Sequence, residues 1–296
     1  MTTVTVLIPA LNEAKTLPHL LADLQRQEFD RSISVSSIAI LSDGSTDNTD
    51  TVVQKFAKKD KKLVLSTYRK RLGKAARLNQ AFRKTTTDIA IVLDADIRLK
   101  NKHVLQKLIS PILIQAADLT SVEVRPLKPI TWIQKMLSLS AQCKQTAYAF
   151  WRSGNNIFTC HGRIRGFSKH LYSQIHFQHS YNEDSFSYLY CISHGMKYQY
   201  VASAQAYYKL PTIFHDHLKQ SQRFFVSTDL LYRSFPESLV KKELAIPKKQ
   251  LLLSFLVGAL HHPILMSFYT CGLVYTYFKA HLTQYAETWD VATSTK

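Results

Sequence analysis

The 296-residue sequence predicts an α/β fold, a mostly parallel sheet with helices packed on both faces. Three observations carry that reading. Within the first hundred residues, short β-branched apolar runs alternate about three times with stretches of helical period. Several of those runs end in a small polar cluster, and ligands of open parallel sheets gather outside the carboxyl ends of the strands. Hydrophobic residues make up 46% and charged residues 20%, which suits a packed core and excludes a disordered chain.

The opening stretch, Met1 to Glu13, has no basic segment, and its apolar run Val4 to Ile8 is short and β-branched. It reads as a buried strand and not as a signal peptide. Helical period follows from Glu13 to about Gln27, with Leu17, Leu20, Leu21 and Leu24 on one face. A second strand covers Ile33 to Leu41 and runs into Asp43-Gly44-Ser45-Thr46-Asp47, a turn before a capped helix start. A third strand, Leu63 to Thr67, precedes a helix opening near Gly73, and a fourth, Ile89 to Leu93, ends in Asp94-Ala95-Asp96. Beyond residue 100 the pattern is less regular. Trp132 to Arg152 reads as a long helix, Gly162 to Phe167 as a short strand or turn, and Asn182 to His194 as an N-capped helix. Lys197 to Lys209 is strand-like, and Pro211 to Phe225 is helical.

Leu251 to Phe278 contains no Asp, Glu, Lys or Arg, although a membrane span needs only about 20 residues. His261-His262-Pro263 interrupts it, and Lys248, Lys249 and Lys279 flank it. One kinked transmembrane helix, a shallow re-entrant hairpin and a buried helix pair all remain open. The four cysteines, Cys143, Cys160, Cys191 and Cys271, have no paired metal spacing and are too few for a disulfide scaffold, which fits a reducing compartment. The formal net charge is +17, so an anionic partner is expected: nucleic acid, nucleotide phosphates or an acidic membrane surface.

Several clusters carry candidate chemistry. Asp94 and Asp96, two residues apart at a strand end, can hold a hard divalent cation, although Asp is also common in ordinary strand-to-loop turns. Asp43 can accept a hydrogen bond from a base or ribose, or serve the turn alone. Twelve Lys or Arg lie between Lys55 and Lys84 with one acid, Asp60. Most belong to a solvated helix face, but Arg71, Gly73 and Lys74 sit at a strand-to-helix junction that suits phosphate. Glu183 and Asp184 open a helix, where acids favour the dipole; one of them can also act as a general base. Gln220 and Arg223 share a helix, and a guanidinium can grip a diphosphate in two-pronged fashion. No His spacing suggests zinc.

In order along the chain, these segments resemble family 2 glycosyltransferases. Val6-Leu7-Ile8-Pro9-Ala10-Leu11-Asn12-Glu13 resembles their opening strand, and Ser42-Asp43-Gly44-Ser45-Thr46-Asp47 their Asp-Asp-Gly-Ser-Thr-Asp segment. Gly73-Lys74-Ala75-Ala76-Arg77-Leu78-Asn79 is similar to their Gly-Lys helix start, and Asp94-Ala95-Asp96 to their metal-binding DxD. Gly162 to Ser168 is similar to the acceptor-side loop, Glu183-Asp184 to the pair that supplies the catalytic base, and Gln220 to Phe224 to the Gln-x-x-Arg-Trp motif of membrane-associated members. Ser42 stands where the usual pair has Asp, and Phe224 where the last motif has Trp.

The resemblance implies a GT-A fold, Rossmann-like, with a C-terminal apolar helical segment associated with a membrane. It implies an inverting transfer from a nucleotide-sugar donor, UDP- or GDP-linked, with Mg2+ or Mn2+. Pro9, Asn12, Glu13 and Asp43 would line the nucleoside side, Asp94 would face ribose or metal, and Asp96 would ligate the metal. Lys74, Gln220 and Arg223 would hold the diphosphate, and Asp184 would deprotonate the acceptor hydroxyl. The expected organisation is a catalytic domain over 1–235, with a donor half (1–100) and an acceptor half (101–235), followed by a basic linker and apolar segment over 236–296. The expected acceptor is lipid-linked or a membrane-proximal saccharide, met at the cytosolic face of an anionic membrane, with transfer of one sugar or few. Polymer synthesis with partner subunits is the alternative within the family. Outside it stand a sugar nucleotidyltransferase, a basic nucleic-acid binder and a non-catalytic scaffold. The acids at Asp43, Asp94, Asp96 and Asp184 argue against a nucleic-acid partner.

Overall fold

The computed structural model describes residues 1–178, 182–282 and 295, without the side chains of 219–227 and 276–282. The chain forms two compact units, Met1–Val124 with Ile157–Tyr207, and Arg125–Asn156 with Tyr208–Lys296. This division follows the packing and does not coincide with a boundary at residue 235.

The first unit opens with β1 (Thr2–Ala10), α1 (Leu17–Gln25), β2 (Ile33–Asp43), α2 (Thr49–Ala57), β3 (Leu63–Tyr68), α3 (Lys74–Lys84) and β4 (Ile89–Leu93). Helix α1 starts later than the apolar period suggests: Pro18 lies in its first turn, and Thr16 takes the N-cap position. Then follow β5 (Ile97–Arg98), α4 (Val104–Leu113) and β6 (Leu119–Pro126). The chain leaves for α5 (Trp132–Phe150) and returns through β7 (Ile164–Ser168), α6 (Lys169–Tyr172), α7 (Glu183–Ser193) and β8 (Tyr198–Tyr208).

The strands form one sheet in the order β3-β2-β1-β4-β7-β6-β8-β5. From β3 to β4 the pairings are parallel, whereas β7 runs antiparallel to both β4 and β6. The sheet is therefore mixed, a correction to the mostly parallel expectation that rested on the first hundred residues alone. All five residues of β4 are buried, which explains their unbroken apolar run. The parallel register aligns Pro9 with Leu41 and Ala10 with Ser42, so the loops after β1 and β2 emerge side by side.

The second unit is helical. Helix α5 begins with a capping box, in which the Thr131 hydroxyl accepts from Gln134 N (3.2 Å) and Gln134 Oε1 accepts from Thr131 N (3.2 Å). Gln134 Nε2 also donates to Leu210 O (2.8 Å). The unit continues through α8 (Phe214–Ser234), α9 (Glu237–Glu243), α10 (Lys248–His261) and α11 (Pro263–Leu282). Met136, Leu137, Leu210 and Tyr269 form its buried cluster. The apolar tract is two helices broken at His262, before Pro263. Among the described residues no helix is long and apolar enough to cross a membrane.

Candidate active site

Three strand-end loops of the first unit are stitched together by their own polar side chains. Asn12 adopts a left-handed backbone (φ 55°), a conformation Asn tolerates better than most residues. Its Oδ1 accepts from Thr46 N (2.7 Å), and its own N–H donates to Ser45 Oγ (3.2 Å). Glu13 N donates to Thr49 Oγ1 (2.8 Å), and Ala14 N to Asp47 Oδ2 (3.1 Å). The Glu13 carboxylate accepts from the Thr16 hydroxyl (2.5 Å). Pro9 is the penultimate residue of β1.

Asp43, at the end of β2, is 4% exposed. Its Oδ1 accepts from Leu72 N (2.9 Å) and Arg77 Nε (2.6 Å), and its Oδ2 from Gly73 N (2.7 Å). Arg77 is itself buried and stacks on the Tyr68 ring, 3.7 Å from guanidinium carbon to ring centre. Asp43 thus fixes the loop between β3 and α3. It fastens the N-terminus of α3 in place, where a carboxylate is also favoured by the helix dipole.

Lys74, at the first turn of α3, is the hub. Its Nζ lies 2.6 Å from Asp94 Oδ1, 2.8 Å from Gly162 O and 2.5 Å from Glu183 Oε1. All three ammonium donors are therefore engaged by protein oxygens. Arg165 of β7 is fully buried and completes the cluster: Nη1 donates to Glu183 O (2.9 Å) and Ser187 Oγ (2.7 Å), and Nη2 lies 3.3 Å from Glu183 Oε1. Asp184 Oδ2 accepts from Gly162 N (3.0 Å), and Oδ1 from Ser185 N (2.8 Å). A Cβ on Gly162 would meet Glu183 Oε1 at 3.1 Å, Asp184 Oδ2 at 3.2 Å and Lys74 Nζ at 3.4 Å, so a side chain there would press the network outward by a few tenths of an ångström.

The electrostatics separate the two neighbouring acids. Burial alone would raise the pKa of Glu183, but the charges of Lys74 and Arg165 outweigh it and hold the carboxyl below its ordinary value. Burial raises Asp184, and the negative Glu183 beside it raises it further. Asp96 is pushed up to about 6, first by burial and then by the charge of Asp94, with Glu13 adding to the rise and Arg163 opposing it. Asp94 and Arg163 are joined by Asp94 N donating to Arg163 O (2.8 Å), which extends the β4–β7 ladder into the site. Among the described residues no cluster of three or more His, Cys, Asp or Glu forms a self-contained metal site.

The structure brings Asp94, Lys74, Gly162, Glu183 and Asp184 into one network, and the charges of Asp94 and Glu13 act in turn on Asp96. Pro9, Asn12 and Asp43 stand on the adjoining loops. The Lys74 ammonium, expected on the diphosphate, donates here to Asp94, Glu183 and Gly162 O. Asn182 takes the N-cap position of α7 with a left-handed backbone (φ 58°) but makes no capping side-chain bond. Gln220 and Arg223 fall on α8 of the second unit, and their side chains lie outside the described residues. Arg165 and Arg77 were not singled out by sequence reasoning. The only signal was a charged residue at an inward position: Arg165 within the buried run of β7, and Arg77 on the apolar face of α3.

The family model described as Glycosyl transferase family 2 matches residues 5–175, more than half of the chain. Curated relatives match over shorter stretches. The 4,4'-diaponeurosporenoate glycosyltransferase of Staphylococcus haemolyticus is 33% identical over 36% of this chain and 27% of its own length. The dolichyl-phosphate beta-glucosyltransferase ALG5A of Trichomonas vaginalis is 30% identical over 36% of this chain and 35% of its own. The matched stretch thus spans about a third or less of these relatives. Among solved structures, the mannosyltransferase PcManGT from Pyrobaculum calidifontis in complex with GDP-Man and Mn2+ shares the fold at TM-score 0.67 and 17% identity, over 94% of this chain and 87% of that one. The glucosyl-3-phosphoglycerate synthase of Mycobacterium tuberculosis in complex with Mg2+ and UDP does so at TM-score 0.57 and 20% identity, over 80% and 81%. With a mixed α/β sheet that carries Asp94-Ala95-Asp96 after β4, with Glu183-Asp184 at the start of α7, and with the family match over 5–175, the chain belongs to glycosyl transferase family 2.

Proposed function

We propose that the protein transfers a sugar from a nucleoside-diphosphate sugar to a hydroxyl of a lipid-linked or membrane-proximal acceptor, in one displacement that inverts the anomeric carbon. The carrying observation is the split between Glu183, held ionised by Lys74 and Arg165, and Asp184, raised by burial and by that same neighbour. A carboxylate of raised pKa, anchored by Gly162 N and Ser185 N, is a stronger base than a solvated one. In the reaction it takes the proton of the attacking hydroxyl. The hydroxyl oxygen bonds to the anomeric carbon as the bond to the diphosphate breaks, and the electron pair leaves with the diphosphate. Donor partners fit this scheme: PcManGT was solved with GDP-Man, and the Staphylococcus aureus protein TarS with UDP-GlcNAc.

Asp94 and Asp96 suit a hard divalent cation such as Mg2+ or Mn2+. Asp96, which burial and the charge of Asp94 push up to about 6, would with Asp94 hold such a cation. When bound, the cation neutralises charge on the departing diphosphate. The loop of Asn12 and Glu13 would face the nucleoside. We place the reaction at the cytosolic face of a membrane, with one sugar or few added per acceptor.

Asp184→Asn tests the assignment. Turnover should fall by about 10²–10⁴-fold, while calorimetric affinity for the nucleotide sugar stays within about threefold. A variant that turns over like the parent would sink the role of Asp184 as base.

A further inference from the structure

In the second unit, α10 and α11 break a rule of soluble proteins. From Leu251 to Leu260 helix α10 is apolar on every side but for Ser254, and such stretches belong in a core or in lipid. Yet Gly258 is its only buried residue, while Leu252, Leu253, Leu256 and Val257 are each more than half exposed and Leu260 is 82% exposed. On α11, Met266 and Tyr269 pack inward, whereas Ile264 and Phe268 remain 69% and 55% exposed. The surface is contiguous in sequence and carries no charge from Leu251 to Phe278. Exposed apolar surface of this extent marks an interaction site.

Its borders say what covers it. Lys248 and Lys249 open α10, Lys241 and Lys242 close the preceding α9, and all four are exposed. Lys241 pairs with Glu237, but the other three stand at the rim of a chargeless surface, where anionic head groups would meet them. Helix α10 is about 21 Å long at 1.5 Å per residue, short of the roughly 30 Å of a hydrocarbon core; α11, with 20 residues, reaches that length, but among the described residues no helix is both long and apolar enough to cross. We infer that the α10–α11 hairpin is a monotopic docking element, its apolar face sunk into one leaflet of an anionic membrane with Lys242, Lys248 and Lys249 at head-group level, and that it does not cross. This docking stands apart from sugar transfer, since its test reads no turnover.

Cys271 on α11 is the one exposed cysteine of the four and serves as a built-in reporter. The full chain, labelled there with an environment-sensitive dye, is floated with vesicles of phosphatidylcholine alone or mixed with phosphatidylglycerol. Flotation with the anionic vesicles, together with a blue shift and quenching by nitroxide-bearing lipid, is expected. Lys248→Gln with Lys249→Gln leaves the packing untouched and should weaken binding to anionic vesicles roughly 30-fold, at about 1 kcal/mol for each lysine. Leu253→Glu with Leu256→Glu should abolish flotation while circular dichroism keeps its helical signal. A labelled chain that stays in the aqueous fraction and remains open to iodide overturns the inference. So does a stable dimer that buries Cys271 before any lipid is added, and so does a chain whose far side is cleaved by protease sealed inside the vesicles.

Discussion

Lys74 illustrates how one side chain can join motifs far apart in sequence. It sits at the start of α3 but binds Asp94 at the end of β4, the carbonyl of Gly162 before β7, and Glu183 at the start of α7. Its pKa is raised: burial opposes the charge, but Asp94 and Glu183 outweigh it. Removing the ammonium leaves two carboxylates facing one another with Arg165 as their remaining strong cation. The cluster is part-buried, and losing a charged hydrogen-bond partner of this kind costs about 2 kcal/mol, so Lys74→Ala should lower the unfolding free energy by that order. The pH dependence carries a sign. Glu183 has a depressed pKa in the folded chain, so it contributes stability above the unfolded carboxylate value, near 4.3, and loses it as pH falls through the folded one. The gap in melting temperature between parent and Lys74→Ala should therefore be widest at neutral pH and close in acid. A gap independent of pH would mean that Lys74 acts by packing alone. The Gly-Lys pair itself was legible in the sequence. Its partners were not, because a lysine at a helix start reads equally as a phosphate ligand until the fold brings Glu183 beside it.

At the scale of elements, the loop between β3 and α3 depends on one buried ion pair. Asp43 and Arg77 are 4% and 2% exposed, and Asp43 spends both oxygens on Leu72 N, Gly73 N and Arg77 Nε. In Arg77→Leu the carboxylate keeps its two backbone donors but loses its countercharge, and the loop that carries Arg71 loses its anchor. The expected result is a loss of about 3 kcal/mol of stability and a weaker donor complex by calorimetry; unchanged donor affinity would show that the loop holds its shape without the pair. The same local detail explains which elements the sequence revealed. The run Ile89 to Leu93 is all apolar and all buried, so β4 was readable to the residue. In β6, Thr120 and Ser121 are buried in consecutive positions, which erases the period of two. Helix α4 hides a proline, Pro111, in its interior, and β5 has only two residues. Strands β5 and β6 lie on the far side of β4, where β7 runs antiparallel to β4 and β6, and without them the topology looked mostly parallel.

On the scale of the whole molecule, the formal charge of +17 suits the proposed donor, which carries the negative charge of a diphosphate. The cations nearest the chemistry, Lys74 and Arg165, are already consumed by Glu183 and Asp94, so they do not account for attraction over distance. That task falls to the exposed remainder, including Lys58, Lys59, Lys61 and Lys62, which follow α2. Fields from exposed charges are screened beyond about 10 Å at 0.1 M salt, whereas a buried cluster is screened far less. The two populations can therefore be told apart. Raising sodium chloride from low to several times physiological concentration should raise KM for the nucleotide sugar severalfold and lower kcat/KM, through loss of electrostatic steering. The rate at saturating donor should hardly move, because Lys74, Glu183 and Asp184 lie inside the network. A fall of kcat in step with kcat/KM would instead place the salt-sensitive charges at the reacting atoms, and the separation of surface attraction from buried chemistry would fail.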